Sequence, residues 1–244
     1  MSESSLSSQN GLKPIEQLIS SDVMEWALQR TYEFARLMSY YKCAMMEIET
    51  KLNVLNEEFS LRLDRQPISN IKSRLKNPIS IRNKLSAKGL PMTVESIENN
   101  LHDIAGIRVI CSFEDDVYKM ADALLKQDDV TLITKKDYIR APKPNGYRSL
   151  HLIIAVPIFL EHEKRIMQAE VQLRTISMDS WASLEHQLRY KKDYVINEQM
   201  ASELRCCADL SAELDRRMDQ MRNQIYDDRN DSAYPIIKAQ ANSK

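Results

Sequence analysis

The chain has 244 residues, of which 43% are hydrophobic and 28% are charged, a composition typical of a globular domain with room for a sizeable core. Its 34 basic side chains balance 35 acidic ones, so nothing indicates a general polycationic surface for nucleic acid. The four cysteines show no metal-binding or disulfide spacing. The longest apolar run, residues 150–160, is too short for a membrane span of roughly 20 residues. We therefore expect a cytoplasmic protein that binds neither DNA nor a membrane.

Two long amphipathic helices are predicted, one near each end of the chain. Ser21 and Asp22 are suitable caps for the first, and its apolar residues from 34 to 59 recur with a heptad rhythm. The second helix repeats the rhythm from Met200 to Ile225, with one polar break at Ser211. Such seams pack either against the rest of the domain or against another copy of the chain.

The middle of the chain alternates predicted strands and helices. Strands are predicted at 68–76, 104–111, 131–139, 150–156 and 166–174, and helices after Asn77–Pro78 and at 114–125 and 177–190. Short connections between them indicate an α+β fold in which helices cover a mixed five-stranded sheet. We divide the chain into a flexible tail at 1–20, a helical segment at 21–65, a central domain at 66–192, a C-terminal helix at 193–228 and a second flexible tail at 229–244.

Polar and basic residues cluster where the first strand meets its helix. Arg74 and Lys76 end the strand, and Ser80 and Lys84 share one face of the following helix. Free backbone N–H groups at a helix N-terminus, with lysines nearby, favour a phosphate group. A capped helix with solvated lysines would produce the same pattern.

Asp103 and Arg108 flank the start of the second strand. Strand alternation would place them on opposite faces unless Gly106 marks a bulge, and we predict that bulge. The pair His102–Asp103 resembles a metal-binding motif of phosphohydrolases. No partner lies at a suitable ligand spacing, so we interpret this likeness as coincidence.

Glu170, Gln172 and Arg174 share one face of the last strand, which could be an ordinary solvent-facing side. Together with Asp103, however, Glu170 would supply the pair of carboxylates that a nucleotide-bound Mg²⁺ requires. A carboxylate in this position could also take a proton from an attacking hydroxyl group.

The segment KPNGYRSLH, residues 143–151, combines a turn with an aromatic ring and several polar groups. Its Asn-Gly pair predicts a tight turn that presents Tyr147, with His151 on the same side. An aromatic ring among polar groups is a stacking platform for a base, worth about 1–3 kcal/mol, and Lys143 and Arg148 would contact phosphates. If this segment stood alone, a hairpin turn with a tyrosine packed at its edge would be the better explanation.

Five segments, in this order, resemble the synthetase domain of the RelA/SpoT alarmone enzymes. They are RLK at 74–76 followed by Ser80 and Lys84, DIAGIR at 103–108, KPNGYRSLH at 143–151, EVQLRT at 170–175 and WASLEH at 181–186. The resemblance covers about residues 66–192. The chain lacks room for the hydrolase and regulatory domains of long family members, so it resembles a stand-alone small alarmone synthetase. The uninterrupted KPNGYRSLH favours the RelP branch over the RelQ branch.

The resemblance implies a nucleotidyltransferase-like synthetase fold and transfer of pyrophosphate from ATP to the 3′-hydroxyl of GDP or GTP, which yields ppGpp or pppGpp and AMP. It implies Mg²⁺ held by Asp103 and Glu170, with Glu170 also acting as the base. It places ATP on Arg74, Lys76, Ser80, Lys84 and Arg108, and GDP or GTP on Lys143, Asn145, Tyr147, Arg148, His151 and Gln172. Arg174, Trp181, Glu185 and His186 are weaker or supporting assignments. Small synthetases of this family are commonly homotetramers, so a homo-oligomer is expected.

Two other functions stay open at this point. A nucleotidyltransferase would use the same groups but would release pyrophosphate rather than AMP. A non-catalytic nucleotide- or RNA-binding protein would bind through the basic stretch from Arg62 to Lys88. Such a protein would have no need for the Asp103 and Glu170 pair.

Overall fold

The computed structural model describes the backbone of residues 21–190 and 197–241 and the side chains of residues 30–189 and 197–225. The helices are α1 (Ser21–Leu63), α2 (Pro78–Ala87), α3 (Val94–Asn100), α4 (Glu114–Leu125), α5 (Ile176–Tyr190) and α6 (Glu198–Ala241). The strands are β1 (Ile68–Leu75), β2 (Ala105–Cys111), β3 (Thr131–Asp137), β4 (Leu150–Phe159) and β5 (Lys164–Thr175). The five predicted strands are confirmed, whereas the short helix α3 was not predicted.

The strands form one sheet in the order β1-β2-β5-β4-β3. The central pair β2 and β5 is parallel, and the other three pairs are antiparallel, so the sheet is mixed and the predicted α+β class is confirmed. One face of the sheet is apolar: Ile107, Val109, Leu152, Val171 and Leu173 are at most 1% exposed. Buried apolar side chains of α1 and α4 complete this core.

The chain divides into two compact units, residues 1–39 and residues 40–244. The second unit contains the sheet and the part of α1 from Tyr40 onward. In that part the predicted seam, from Tyr41 to Phe59, is buried within the unit. The side chain of Asn56 accepts a hydrogen bond from the backbone N–H of Ile68 at 2.9 Å and so ties the helix to β1. This stretch of the α1 seam is therefore internal.

The predicted bulge at Gly106 is wrong. β2 pairs in unbroken register with β1 from Ala105 to Ile110 and with β5 from Gly106 to Cys111. The irregularities lie instead between Ile68 and Asn70 and between Leu132 and Thr134. Asp103 precedes β2 in a short loop. Strand alternation therefore does not govern the direction of its side chain, and no bulge is needed to bring it to the polar face.

Helix α6 packs on the domain through a face different from its apolar seam. Its buried residues include Ala208, Asp215 and Arg222. Asp215 accepts a hydrogen bond from Thr175 at 2.6 Å, and Arg222 binds Asp115 of α4 at 2.8 Å. The apolar seam lies on the outside, where the side chains of Leu214, Met218, Met221 and Ile225 are 43–56% exposed.

The predicted domain boundaries stay predictions. Residues 1–20 and 191–196, which include one predicted tail and the boundary at 192, lie outside the described residues. Helix α6 continues to Ala241, past the end predicted at 228. Helical backbone does not require a continuous heptad rhythm of apolar residues, so the end of that rhythm is a poor guide to the end of the helix. Among the described helices, none has both the length and the hydropathy for a membrane span.

We expect Gly146→Ala to lower the free energy of unfolding by about 2–4 kcal/mol. Gly146 has φ +88°, and an added Cβ would lie 2.5 Å from the Cβ of Ala208. A left-handed backbone costs a residue with a Cβ about 1–2 kcal/mol, and overpacking adds about 1–3 kcal/mol. Denaturant titration measures the loss.

Gly89→Ala is the matched control. Gly89 has φ +64° and no atom within 4 Å of the added Cβ. This variant should lose only the backbone contribution of about 1–2 kcal/mol. Equal losses in the two variants would contradict a tight contact between residue 146 and α6.

Candidate active site

The polar face of the sheet contains two cavities that meet at Glu170. The first, called here the β1-side cavity, has a volume of about 350 Å³ and is lined by Lys72, Ser73, Arg74, Asp103, Gly106, Ile107, Arg108, Glu170 and Gln172. The second, called the β3-side cavity, has a volume of about 210 Å³ and is lined by Thr134, Lys136, Tyr138, Lys143, His151, Ile153 and Glu170. Glu170 is the residue that belongs to both.

Strand register explains why residues so distant in sequence line these cavities. Gly106 of β2 pairs with Arg74 of β1 on one side and with Glu170 of β5 on the other. On β4, His151 pairs with Gln172 and Ile153 pairs with Glu170. Paired residues of adjacent strands point to the same face. The face therefore carries one row of functional groups across the strands.

Asp103 is held by two lysines. Its Oδ2 accepts hydrogen bonds from Lys76 Nζ at 2.5 Å and from Lys84 Nζ at 2.7 Å. Burial alone would raise the pKa of the Asp103 carboxyl, but the hydrogen bonds and charges of the two lysines lower this pKa below its usual value. The other oxygen, Oδ1, is buried and has no hydrogen-bond partner. Asp103 is therefore an ionised carboxylate with one oxygen available to a ligand.

Glu170 is held by the polar side chains of its own and the neighbouring strand. His151 Nδ1 lies 3.0 Å from Oε1, and Gln172 Nε2 donates to Oε2 at 2.9 Å. Burial would raise the pKa of the Glu170 carboxyl, but these two donors together lower it below its usual value, and the charge of Asp103 opposes them. The two acids are thus close enough to repel each other, and both line the β1-side cavity.

These residues fit a divalent cation that is shared with phosphates. Within the described part of the chain, no cluster of three or more His, Cys, Asp or Glu side chains could hold a metal ion. The site offers two carboxylates, one with a buried oxygen that lacks a partner. Mg²⁺ is characteristically bound by one or two carboxylates together with substrate phosphates and water.

Two arginines that the resemblance assigns to ATP, Arg74 and Arg108, line the same cavity. Arg108 is anchored by one nitrogen, since Nη1 donates to Asp179 Oδ1 at 3.1 Å. Asp179 of α5 is 7% exposed and also accepts from Lys72 at 3.3 Å and from Arg174 at 3.3 Å. Asp179 thus binds three cationic side chains, those of Lys72, Arg108 and Arg174, at the rim of the cavity. Sequence analysis missed it, because an acid in the first turn of a helix is common and carries no specific signal.

The helix N-terminus after β1 is formed as predicted. Asn77 caps α2 by accepting a hydrogen bond from the backbone N–H of Ser80 at 2.7 Å. Lys84 lies in the last turn of this helix and donates to Asp103 at 2.7 Å, so α2 supplies one of the two lysines that hold the carboxylate. The contacts of Ser80 and Lys84 with phosphates stay predictions.

The acceptor turn, defined here as residues 143–148, is the predicted Asn-Gly turn. Asn145 Oδ1 accepts from the backbone N–H of Tyr147 at 3.2 Å, and the N–H of Gly146 donates to the carbonyl of Lys143 at 2.8 Å. Lys143 Nζ lies 4.6 Å from the ring centre of Tyr138 and 4.8 Å from that of Tyr147. Tyr138 lines the β3-side cavity, and sequence analysis missed it because an aromatic residue within a predicted strand, here 131–139, carries no specific functional signal.

Tyr147 lies at the border of the β3-side cavity. Its ring packs against the buried cluster of Trp181, Ala182 and Ala208, and its hydroxyl lies 2.8 Å from Nε2 of His151, which lines the cavity. The predicted stacking of the Tyr147 ring on a guanine base stays a prediction. The ring position is already fixed by packing before any base is bound.

Arg148 and Asn145 are directed toward the C-terminal helices. Arg148 donates to the carbonyl of Ala208 at 2.8 Å and lies 3.3 Å from Asp209, and its predicted contact with acceptor phosphates stays a prediction. The adjacent turn lies against α6, since a Cβ added at Gly146 would be 2.5 Å from the Cβ of Ala208. The amide of Asn145 donates to Glu185 at 3.3 Å, and Trp181 donates to the carbonyl of Leu204 at 2.9 Å.

Comparison with known proteins identifies close relatives. A family model described as a region found in RelA / SpoT proteins matches residues 73–194. The GTP pyrophosphokinase YwaC of Bacillus subtilis (strain 168) is 42% identical over 185 residues, which are 76% of this chain and 88% of that protein. The residues matched by the family model include Arg74, Asp103 and Glu170.

Solved structures give the same result for the fold. The crystal structure of small alarmone synthetase 2 from Bacillus subtilis has a TM-score of 0.72 and 39% identity, and covers 79% of this chain and 99% of that one. The structure of small alarmone synthetase 1 from Bacillus subtilis bound to its product pppGpp has a TM-score of 0.72 and 31% identity, with coverage of 79% and 97%.

We expect Asp103→Asn to reduce stability in a pH-dependent way. The pKa of Asp103 is lowered in the folded state, so its contribution is present above the unfolded value near 3.8 and is lost as the pH falls through the lower folded value. Near neutral pH the variant should lose about 1–3 kcal/mol of unfolding free energy, and at acidic pH the two curves should converge. Denaturant titrations at several pH values, without nucleotide, measure this difference.

Asp122→Asn is the control, since Asp122 is an exposed residue of α4. Its unfolding free energy should follow that of the wild type at every pH. A constant loss for Asp103→Asn across the whole pH range would show that the charge of Asp103 is not what the two lysines stabilise.

Proposed function

The chain belongs to the RelA/SpoT family, and on that premise we propose that it transfers the pyrophosphoryl group of ATP to the 3′-hydroxyl of GDP or GTP. The products are ppGpp or pppGpp and AMP. The observation that carries the proposal is the position of Glu170, which lies where two cavities meet. A transfer between two nucleotides needs two binding sites with one catalytic group between them.

The β1-side cavity is the proposed ATP site. Arg74 and Arg108 present guanidinium groups on one side of this cavity, and such planar cations stack on aromatic bases. Because Asp179 holds Arg108 through Nη1, the guanidinium is oriented before the base binds. Lys76 and Lys84 flank Asp103, and with Ser80 at the start of α2 they are placed to bind the phosphates.

The β3-side cavity is the proposed site of GDP or GTP. Lys143 and His151 line it, with Lys136 as a further cation and Tyr138 as a second aromatic ring. Tyr147 would stack on guanine from the border of this cavity, and Asn145 and Gln172 would assist from the turn and from β5. The small alarmone synthetase 1 structure contains pppGpp, a guanine nucleotide of the type proposed here.

Asp103 and Glu170 are the proposed ligands of Mg²⁺. When bound, the ion would neutralise phosphate charge and favour attack on the β-phosphorus. The acceptor 3′-oxygen forms the new P–O bond while the bond from the β-phosphorus to the AMP oxygen breaks, and the hydroxyl proton passes to Glu170. The lowered pKa of Glu170 keeps it ionised and ready to accept that proton.

We also propose that the protein is a homo-oligomer whose copies meet through α6. Four apolar side chains on α6, from Leu214 to Ile225, are 43–56% exposed although their heptad rhythm is typical of a packed seam. A contiguous exposed apolar stripe is typical of an interface between proteins. The tetrameric state and the assignment to the RelP branch stay predictions.

We expect the pure protein to convert ATP and GDP, with Mg²⁺, into AMP and ppGpp, and Glu170→Gln to lower kcat by about 10²-fold or more, as for loss of a general base. Separation of the nucleotides by ion-exchange chromatography measures both. Release of pyrophosphate instead of AMP would identify a nucleotidyltransferase.

Glu161→Gln, at an exposed turn between β4 and β5, is the control and should retain wild-type kcat.

The assignment of the two cavities predicts reciprocal effects of two substitutions. Arg74→Met should raise KM for ATP by about 3- to 30-fold and leave KM for GDP within twofold, because a stacked cation contributes about 0.5–2 kcal/mol. Lys143→Met should raise KM for GDP and leave KM for ATP unchanged. Initial rates with one substrate saturating and the other varied measure both constants. If either variant changes both KM values equally, the two cavities do not bind different nucleotides.

A further inference from the structure

Five side chains beside the reaction centre form a closed ring of hydrogen bonds. Tyr147 Oη lies 2.8 Å from His151 Nε2, and His151 Nδ1 lies 3.0 Å from Glu170 Oε1. Gln172 Nε2 donates to Glu170 Oε2 at 2.9 Å. Arg174 Nη2 closes the ring by donating to Gln172 Oε1 at 2.9 Å and to Tyr147 Oη at 2.6 Å.

The chemistry of the groups determines the direction of each bond. A guanidinium can only donate, so Tyr147 Oη accepts the hydrogen bond from Arg174. An ionised carboxylate can only accept, so His151 Nδ1 must carry a proton where it faces Glu170. In a neutral imidazole, Nε2 then has a lone pair, and the proton of the Tyr147 hydroxyl points to it. The opposite tautomer would place two lone pairs face to face between His151 and Glu170.

Arg174, which donates to both Tyr147 and Gln172 in the ring, is itself held in place. It is 4% exposed, and its Nη1 lies 3.3 Å from Asp179 Oδ1. The guanidinium carbon is 5.0 Å from the ring centre of Tyr147. A buried cation with these neighbours cannot rotate away from the tyrosine hydroxyl without losing an ion pair.

The Tyr147 ring is fixed as firmly as its hydroxyl. It packs edge-to-face against His151, with the ring centres 5.8 Å apart and the planes at 79°, and against Tyr138, at 6.1 Å and 66°. The cluster of Trp181, Ala182 and Ala208 supports it from the side of α5 and α6. A fixed ring holds its hydroxyl within hydrogen-bonding distance of one nitrogen of His151.

We propose that the Tyr147 hydroxyl is a positioning group for the catalytic base: it selects the Nδ1–H tautomer of His151, which then donates to Glu170. This inference rests on the proposed function of Glu170 as the base. His151 and Gln172 each donate a hydrogen bond to one carboxylate oxygen of Glu170. The two bonds fix the orientation of this carboxylate between the two cavities. Tyr147 also belongs to the acceptor turn, so one residue takes part both in holding the guanine nucleotide and in aligning the base.

The test compares Tyr147→Phe with Tyr147→Leu. Phe keeps the ring and removes only the oxygen, so kcat should fall by about 10- to 100-fold, as for loss of a partner that orients a functional histidine, while KM for GDP stays within twofold. Leu removes the ring as well and should also raise KM for GDP, by roughly 5- to 100-fold. Wild-type kcat in Tyr147→Phe would overturn the proposal.

A second measurement reports the tautomer without depending on activity. Long-range ¹H–¹⁵N correlation spectra of the imidazole groups distinguish Nδ1–H, Nε2–H and the doubly protonated form. The protein has four histidines, and His151→Gln identifies the signal of His151. The wild type should show the Nδ1–H form, and Tyr147→Phe should show a loss of that form. An unchanged tautomer in Tyr147→Phe, or another form in the wild type, would overturn the inference.

Tyr40→Phe is the matched control. The Tyr40 hydroxyl donates to Glu163 at 2.9 Å, in the turn between β4 and β5 and outside both cavities. This variant should retain wild-type kcat and the wild-type His151 spectrum. If the wild type forms no alarmone, the proposed function fails, but the spectra still decide whether Tyr147 selects the tautomer.

Discussion

The parallel pairing of β2 with β5 is the constraint on which the site depends. It places Gly106 beside Glu170 and Arg108 beside Gln172. Because the strands run in the same direction, the loop that enters β2 lies at the same end of the sheet as Glu170, and Asp103 in that loop reaches the same cavity. Antiparallel pairing would put the entrance to β2 at the opposite end. The two carboxylates would then be separated by the length of the strands.

The electrostatics of the two acids explain why the site suits a metal-bound nucleotide. Asp103 is stabilised by two lysines, and Glu170 by His151 and Gln172. Both pKa values are lowered in spite of burial, so both groups are charged at neutral pH and repel each other. A divalent cation held by Asp103 and Glu170 would offset that repulsion, and substrate phosphates would complete its coordination. In the proposed function, the two lysines that balance Asp103 would also bind these phosphates.

Most of the fold could be predicted because local sequence patterns determine it. The alternation of apolar residues in β2 and β5 and the Asn77 cap of α2 are short-range signals. The order of the strands could not be predicted from such short-range signals. The pairing between β2 and β5 joins segments more than 60 residues apart in sequence, such as Gly106 and Glu170. Asp179 was missed for the same reason. Its importance comes from three cations that only the folded sheet brings together.

The orientation of α6 bears on an alternative that the hydrophobic pattern left open. The rhythm from Met200 to Ile225 allowed the seam to pack on the domain or to form an interface with another copy, and the structure shows the domain contacted instead by a small residue, Ala208, and by charged residues. The contact favours glycine at position 146, because a Cβ added there would lie 2.5 Å from the Cβ of Ala208. The carbonyl of Ala208 also accepts from Arg148. The helix therefore holds the acceptor turn through one face and leaves its apolar seam on the other.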